Sequence, residues 1–146
     1  MISTEQRAPA TTATTTTIEP EARPDTRTWL AERISAEVGV MVAATWYVLF
    51  MIGTALEPRA TGPDPTWAVA LSFVFLAAIA VTAAGLLARR RWGLLASLGA
   101  AGIFTAFSVA CPISGHHGFA GWWFGQMACA VALVGVSAFA LARARA

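Results

Sequence analysis

Four uninterrupted apolar runs constrain this chain more than anything else in it. They extend from about Val38 to Leu56, Trp67 to Ala88, Trp92 to Ala110 and Gly121 to Leu141, with no charged residue in the interior of any. Each is close to the roughly 20 residues that a helix needs to cross a hydrocarbon core. Inside lipid every backbone N–H and C=O must be bonded within the protein, and a helix does this within its own segment. Composition agrees: 57% of the 146 residues are hydrophobic and 12% are charged, against about a quarter charged in soluble domains. The expected fold is an all-α integral membrane protein, with four transmembrane helices in an up-down antiparallel bundle.

Proline, glycine and arginine punctuate the runs. Between the first and second lies a segment from Glu57 to Thr66 holding Pro58, Gly62, Pro63 and Pro65, which stops both helices. Arg89, Arg90 and Arg91 join the second and third so tightly that these helices must be antiparallel neighbours. Residues 1–28 contain Thr11, Thr12, Thr14 to Thr17, Pro9, Pro20 and Pro24. They offer almost nothing to bury and are expected to form a disordered tail. The first apolar run begins too late for a secretory signal peptide. Residues 29–37 place Trp29, Leu30, Arg33, Ile34 and Glu37 at helical spacings, which predicts a short interfacial helix leading into a membrane domain over 38–146.

Arginine placement sets the expected orientation. Arg23, Arg27 and Arg33 precede the first span, Arg89 to Arg91 follow the second, and Arg143 and Arg145 follow the fourth; Arg59 falls on the other side. The positive-inside rule then puts both termini in the cytoplasm, with the 57–66 and 111–120 loops facing outward. All ten basic residues are arginine, a bias expected of a GC-rich bacterial genome, so the expected location is a bacterial inner membrane. A net charge of +2 argues against a nucleic-acid partner. The expected surroundings are membrane lipid.

The fourth run carries Gly121, Gly125, Ala128, Ala132 and Gly135 on one face, a stripe of small residues that permits close helix approach. The third offers Ser97, Ala101, Thr105 and Ser108, with Gly99 and Gly102, so these two helices are expected to pack together. Alternatively the stripe is a contact with a second copy or with a partner membrane subunit. Trp67 and Trp92 sit at span ends, where indole rings anchor at the headgroup level. Trp46 and Tyr47 sit in mid-span and need partners in the bundle, for which Thr45, Thr54 and Gln126 are candidates.

One junction breaks the monotony. The stretch from Cys111 to Gln126 holds both histidines, His116 and His117, one of two cysteines, and Trp122, Trp123 and Gln126. Pro112 is expected to end the third span, and Gly115 and Gly118 to allow sharp turns around the histidines. Trp122, Gln126 and Cys129 follow at helical spacings as a column entering the membrane. Cys129 lies seven residues past Trp122, roughly 10 Å along the helix at 1.5 Å per residue. A disulfide needs Cα atoms within about 7 Å, so Cys111 and Cys129 are expected to be free.

Three readings compete for this junction. Cys111, His116 and His117 have the ligand chemistry for a transition metal or haem iron, although the spacing is unusual and no fourth ligand is evident. Alternatively His116 or His117 serves as a general acid–base, imidazole being the side chain that titrates near neutral pH. Gln126 would then orient a polar group, and Trp122 and Trp123 would cover a lipid-like body. In the plainest reading the histidines make a polar turn, the tryptophans form an aromatic belt and Gln126 bonds across a helix contact. Arg89 to Arg91 act as a topology determinant or meet anionic lipid headgroups, and Glu37 and Glu57 cap the ends of the first span. No CxxC, HExxH, Asp-rich pair or P-loop is present.

Two functions of different class follow. The first is a ligand-, cofactor- or acid–base site in the outer loop, acting on a hydrophobic small molecule. The second is an accessory subunit of a larger membrane complex, docking through the small-residue stripe. A transporter is the weaker third, because nothing charged lines the spans.

Overall fold

A computed structural model describes residues 26–59, 64–115 and 117–144. The tail, part of the first interhelical loop, His116 and the final two residues lie outside the described residues. Five helices follow in order: α1 (Thr26–Ala31), α2 (Ala36–Leu56), α3 (Thr66–Leu87), α4 (Arg91–Ile113) and α5 (Gly121–Arg143). The last four are long and apolar enough to cross a membrane, as in a small polytopic membrane protein.

Local chemistry explains where these helices start. Ser35 caps α2, its Oγ accepting from Val38 N at 3.3 Å. Pro65 opens α3, and its carbonyl accepts from Ala68 N (2.9 Å) and Val69 N (3.2 Å). The turn between α3 and α4 is a Schellman motif, in which Arg90 N donates to Gly85 O (3.0 Å) and Arg89 N to Leu86 O (3.0 Å). Arg89 occupies the left-handed position at φ 53°, where glycine is usual. Close approach makes glycine obligatory just before and after it. A Cβ on Gly85 would stand 2.3 Å from Gly93 Cα.

Contacts at the two ends fix the up-down course. At one end, Ile34 N donates to Arg89 O (2.8 Å) and Arg91 N to Glu32 O (3.1 Å), so the start of α2 lies beside the α3–α4 turn. Arg91 also pairs with Glu32 at 2.6 Å and lies 5.3 Å over the Trp29 ring. The segment expected as one helix over 29–37 is therefore divided. Helix α1 ends at Ala31, and residues 32–35 leave the helix to bond along this turn. At the other end the α4–α5 connection meets the end of α2.

Consecutive long helices pack on one another, except for the first pair. Helix α2 packs mainly on α5, α5 on α4, and α4 on α3, while α2 and α3 touch little. Going round the bundle the order is α2, α5, α4, α3, with an open seam between first and last. An apolar groove of about 330 Å³ runs down this seam between Trp46, Tyr47 and Phe50 of α2 and Leu76, Ile79 and Leu86 of α3.

Polarity is inverted relative to a soluble bundle. Ser97, Ser108, Ser137, Thr82 and Gln126 are buried, whereas Tyr47, Phe73, Leu76, Phe124, Val131 and Phe139 are exposed. An apolar exterior of this kind suits contact with lipid. At its centre Trp46 Nε1 donates to Ser97 Oγ (2.8 Å), which bonds Ser137 Oγ (2.7 Å), joining α2, α4 and α5. The partner of Trp46 is thus Ser97, not Thr45, Thr54 or Gln126. Thr45 and Thr54 bond carbonyls four residues back in their own helix, and Tyr47 faces outward.

Two packing expectations need correction. The α4–α5 contact does not run through the small-residue stripe: Gly121, Ala128, Ala132 and Gly135 are exposed, and nothing lies within 4 Å of a Cβ built on Gly121 or Gly135. Gly125 touches Leu56 of α2 instead. The buried face of α5 carries Gln126, Cys129, Ala130, Leu133, Ser137, Ala140 and Leu141, because the core collects the groups that cannot face lipid unbonded. Nor does Pro112 end α4. The helix continues through it to Ile113, since proline near a C-terminus forfeits one bond to the carbonyl four residues back. That carbonyl, Ser108 O, accepts instead from Trp123 Nε1 of α5 at 2.8 Å.

Candidate functional site

A cavity of about 420 Å³ lies among α2, α3, α4 and α5 at the end opposite the arginine turn. Its deep wall is aromatic. Phe75 stacks on Phe104 with centroids 5.7 Å apart and planes 15° apart, and Phe50 lies against both; Phe107 extends this wall. Its rim is polar, with Glu57, Asp64 and His117, and Cys111 and Gln126 lie between.

His117 reaches the cavity because the α4–α5 loop is tied down on both sides. Gly115 adopts φ 74°, which frees the chain to reverse after Ser114. Gly118 O accepts from Trp122 Nε1 at 3.2 Å, and the Trp122 ring meets the His117 ring edge-on at 5.8 Å. Together these hold His117 at 8% exposure with Nε2 3.4 Å from Glu57 Oε1. Glu57 is the C-cap of α2, but its cap is a backbone contact, Glu57 N to Thr54 O. The side chain is thereby available to the imidazole.

Gln126 sits one turn inside α5. It is 5% exposed, and its Oε1 is buried with no hydrogen-bond partner among the described residues. An orphaned buried acceptor costs about 1–3 kcal/mol. It is tolerated where something else supplies the donor or where a site needs it.

The structure brings His117, Gln126 and Cys111 to one cavity and leaves Trp122 and Trp123 out of its wall. Trp122 and Trp123 build the loop: the N–H of one fastens Gly118 and that of the other the carbonyl freed by Pro112. Cys129 packs below, its Cβ 3.7 Å from a Cβ built on Gly53. Cys111 and Cys129 are both buried and free. Of the metal candidates Cys111, His116 and His117, His116 lies outside the described residues. Among the described residues no group of three or more His, Cys, Asp or Glu is placed to hold an ion. Glu57 and the phenylalanine wall escaped sequence reasoning. Glu57 could have been found, because the up-down course alone puts the end of the first span beside the loop carrying the histidines.

Chemically, the arrangement is a carboxylate–imidazole pair over an aromatic pit, with one amide acceptor between them that is unpaired among the described residues. Such a pair can orient an imidazole and pass a proton to or from a bound group. No family model matches the chain, and neither the curated proteins nor the solved structures contain a significant match.

Proposed function

We propose that this is a small inner-membrane protein that binds an amphiphilic small molecule in the cavity at the end of α2 and the start of α5. The ligand's apolar body would rest on Phe50, Phe75, Phe104 and Phe107, and its polar head would meet Gln126, with His117 and Glu57 exchanging its proton. The observation that carries this reading is Gln126, a nearly fully buried amide in the cavity wall whose acceptor oxygen has no partner among the described residues. A polar side chain kept inside a span at such a cost points to a site. We further propose that both termini are cytoplasmic and that the cavity faces outward, on the strength of Arg33, Arg89 to Arg91 and Arg143 at the opposite end.

The test compares wild type with Gln126→Leu and His117→Ala, purified in mild detergent and extracted for mass spectrometry of bound small molecules. A species held by wild type and lost from both variants, at equal accumulation of protein, is the expected result. Identical extracts from all three end the reading.

The exposed stripe on α5 supports a second reading, an accessory subunit docking a partner helix through Gly121, Ala128, Ala132 and Gly135. Gly121→Leu or Gly135→Leu would then release a co-purifying partner without unfolding the chain, since both positions open on free space. A partner retained by both variants removes this reading.

A further inference from the structure

The arginine-rich end holds a second cavity, of about 250 Å³, that the ligand reading leaves unused. Three arginines line it from three separate places in the chain: Arg33 before α2, Arg91 opening α4 and Arg143 closing α5. Ser35, the N-cap of α2, borders the same space, and Ile34, Val38, Ala140 and Ala144 supply an apolar wall. Among the described residues, Glu32 on Arg91 is the one carboxylate paired with any of the three. Among the described residues, one paired acid against three bases leaves surplus positive charge around the cavity. Arg91 Nε is also buried and has no partner among the described residues. Bringing like charges together is unfavourable unless an anion sits among them.

We propose that this cavity binds a phosphate-bearing anion, and that its place at the ends of four membrane-length helices selects the headgroup of an anionic phospholipid. Guanidinium forks match phosphate oxygens in shape and charge. The start of α2 adds the positive end of a helix dipole. Stacking on Trp29 (5.3 Å) and on Phe139 (5.1 Å) holds the Arg91 and Arg143 guanidinium groups near the interface. The apolar wall would receive the first carbons of an acyl chain. This site stands apart from the ligand cavity, so either proposal can fail alone.

The experiment uses the full chain in mild detergent, titrated separately with phosphatidylglycerol, phosphatidylcholine and inorganic phosphate. Lipid adducts are counted by native mass spectrometry, and phosphate is followed by thermal shift. Phosphatidylglycerol should bind in preference to phosphatidylcholine. Arg33→Ala and Arg143→Ala should each weaken it by roughly fivefold, and the double variant by roughly 25-fold, as expected for single arginines near a lipid surface. Arg59→Ala, at the other end, should leave it unchanged. A stabilisation by inorganic phosphate that depends on Arg33 and Arg143, without lipid preference, keeps the phosphate site and assigns it a soluble anion. Undiminished lipid binding in the double variant, or equal weakening by Arg59→Ala, overturns the proposal.

Discussion

Replacing Trp123 by Phe removes the N–H that reaches Ser108 O across 2.8 Å. Ser108 is 1% exposed, and its carbonyl cannot be bonded from one turn ahead because residue 112 is proline. The lost bond therefore leaves a buried acceptor empty, which costs about 1–3 kcal/mol. Measured interhelical bonds in membrane bundles average about 0.6 and reach about 1.7 kcal/mol. The two ranges overlap between about 1 and 1.7 kcal/mol. The logic becomes testable by giving the carbonyl a second donor. In Pro112→Ala the new backbone N–H can close the helical bond to Ser108 O, so Trp123→Phe in that background should cost only its lost ring volume. The four proteins of this cycle would be unfolded by adding SDS to mixed micelles, following helical circular dichroism. A coupling of about 1 kcal/mol or more is expected, with the Phe substitution milder in the Pro112→Ala background. Additive effects, within about 0.3 kcal/mol, would show that Ser108 O does not depend on Trp123.

Four further perturbations follow from the same contacts. Gly85→Ala forces a Cβ to 2.3 Å from the Gly93 backbone and should destabilise by at least about 2 kcal/mol; its control, Gly99→Ala, opens on free space and should be neutral or stabilising by up to about 1 kcal/mol, both read by the same micellar unfolding. Arg89→Gly relieves a left-handed residue at the Schellman position and should stabilise by about 1 kcal/mol, seen as a higher Tm. Trp46→Phe and Ser97→Ala should couple by about 0.6–1.7 kcal/mol in a double-mutant cycle; zero coupling would remove the 2.8 Å bond from the account of the core. Gln126→Leu should raise stability by about 1–2 kcal/mol by eliminating the orphaned oxygen while abolishing ligand retention; a loss of stability contradicts the cost assigned to that oxygen.

The four long helices were legible in the sequence because lipid leaves few alternatives for an uninterrupted apolar run. The α3–α4 and α4–α5 pairings were legible as well, from the tight arginine turn and the small and hydroxyl residues of the third and fourth runs; the loose α2–α3 seam was not. Chain order makes α2 and α3 look adjacent, yet α2 is drawn to α4 and α5 by the Trp46–Ser97–Ser137 bonds, which join residues far apart in sequence. Spacing revealed the small face of α5 but not what it meets, and the face that turned inward is the one carrying Gln126 and Ser137. Pro112 was misplaced as a terminator because its cost depends on whether another donor reaches Ser108 O, and Trp123 does so from the next helix. At the site, His117 and Gln126 stood out by type, whereas Glu57 looked like an ordinary helix end until its carboxylate met the imidazole.

The circular order of the helices has a consequence for synthesis. Of the four long helices α2 leaves the ribosome first, but its main neighbour α5 leaves last. During the interval α3 and α4 can close on each other through the Arg89 turn and the Gly85–Gly93 approach, while α2 waits in lipid without Ser137 in place. A chain stopped before Gly121 should therefore protect the α3–α4 hairpin from protease and leave α2 mobile. Arrival of the last helix then completes the core and, in the same step, carries His117 and Gln126 to Glu57, so that the cavity exists only in the finished chain.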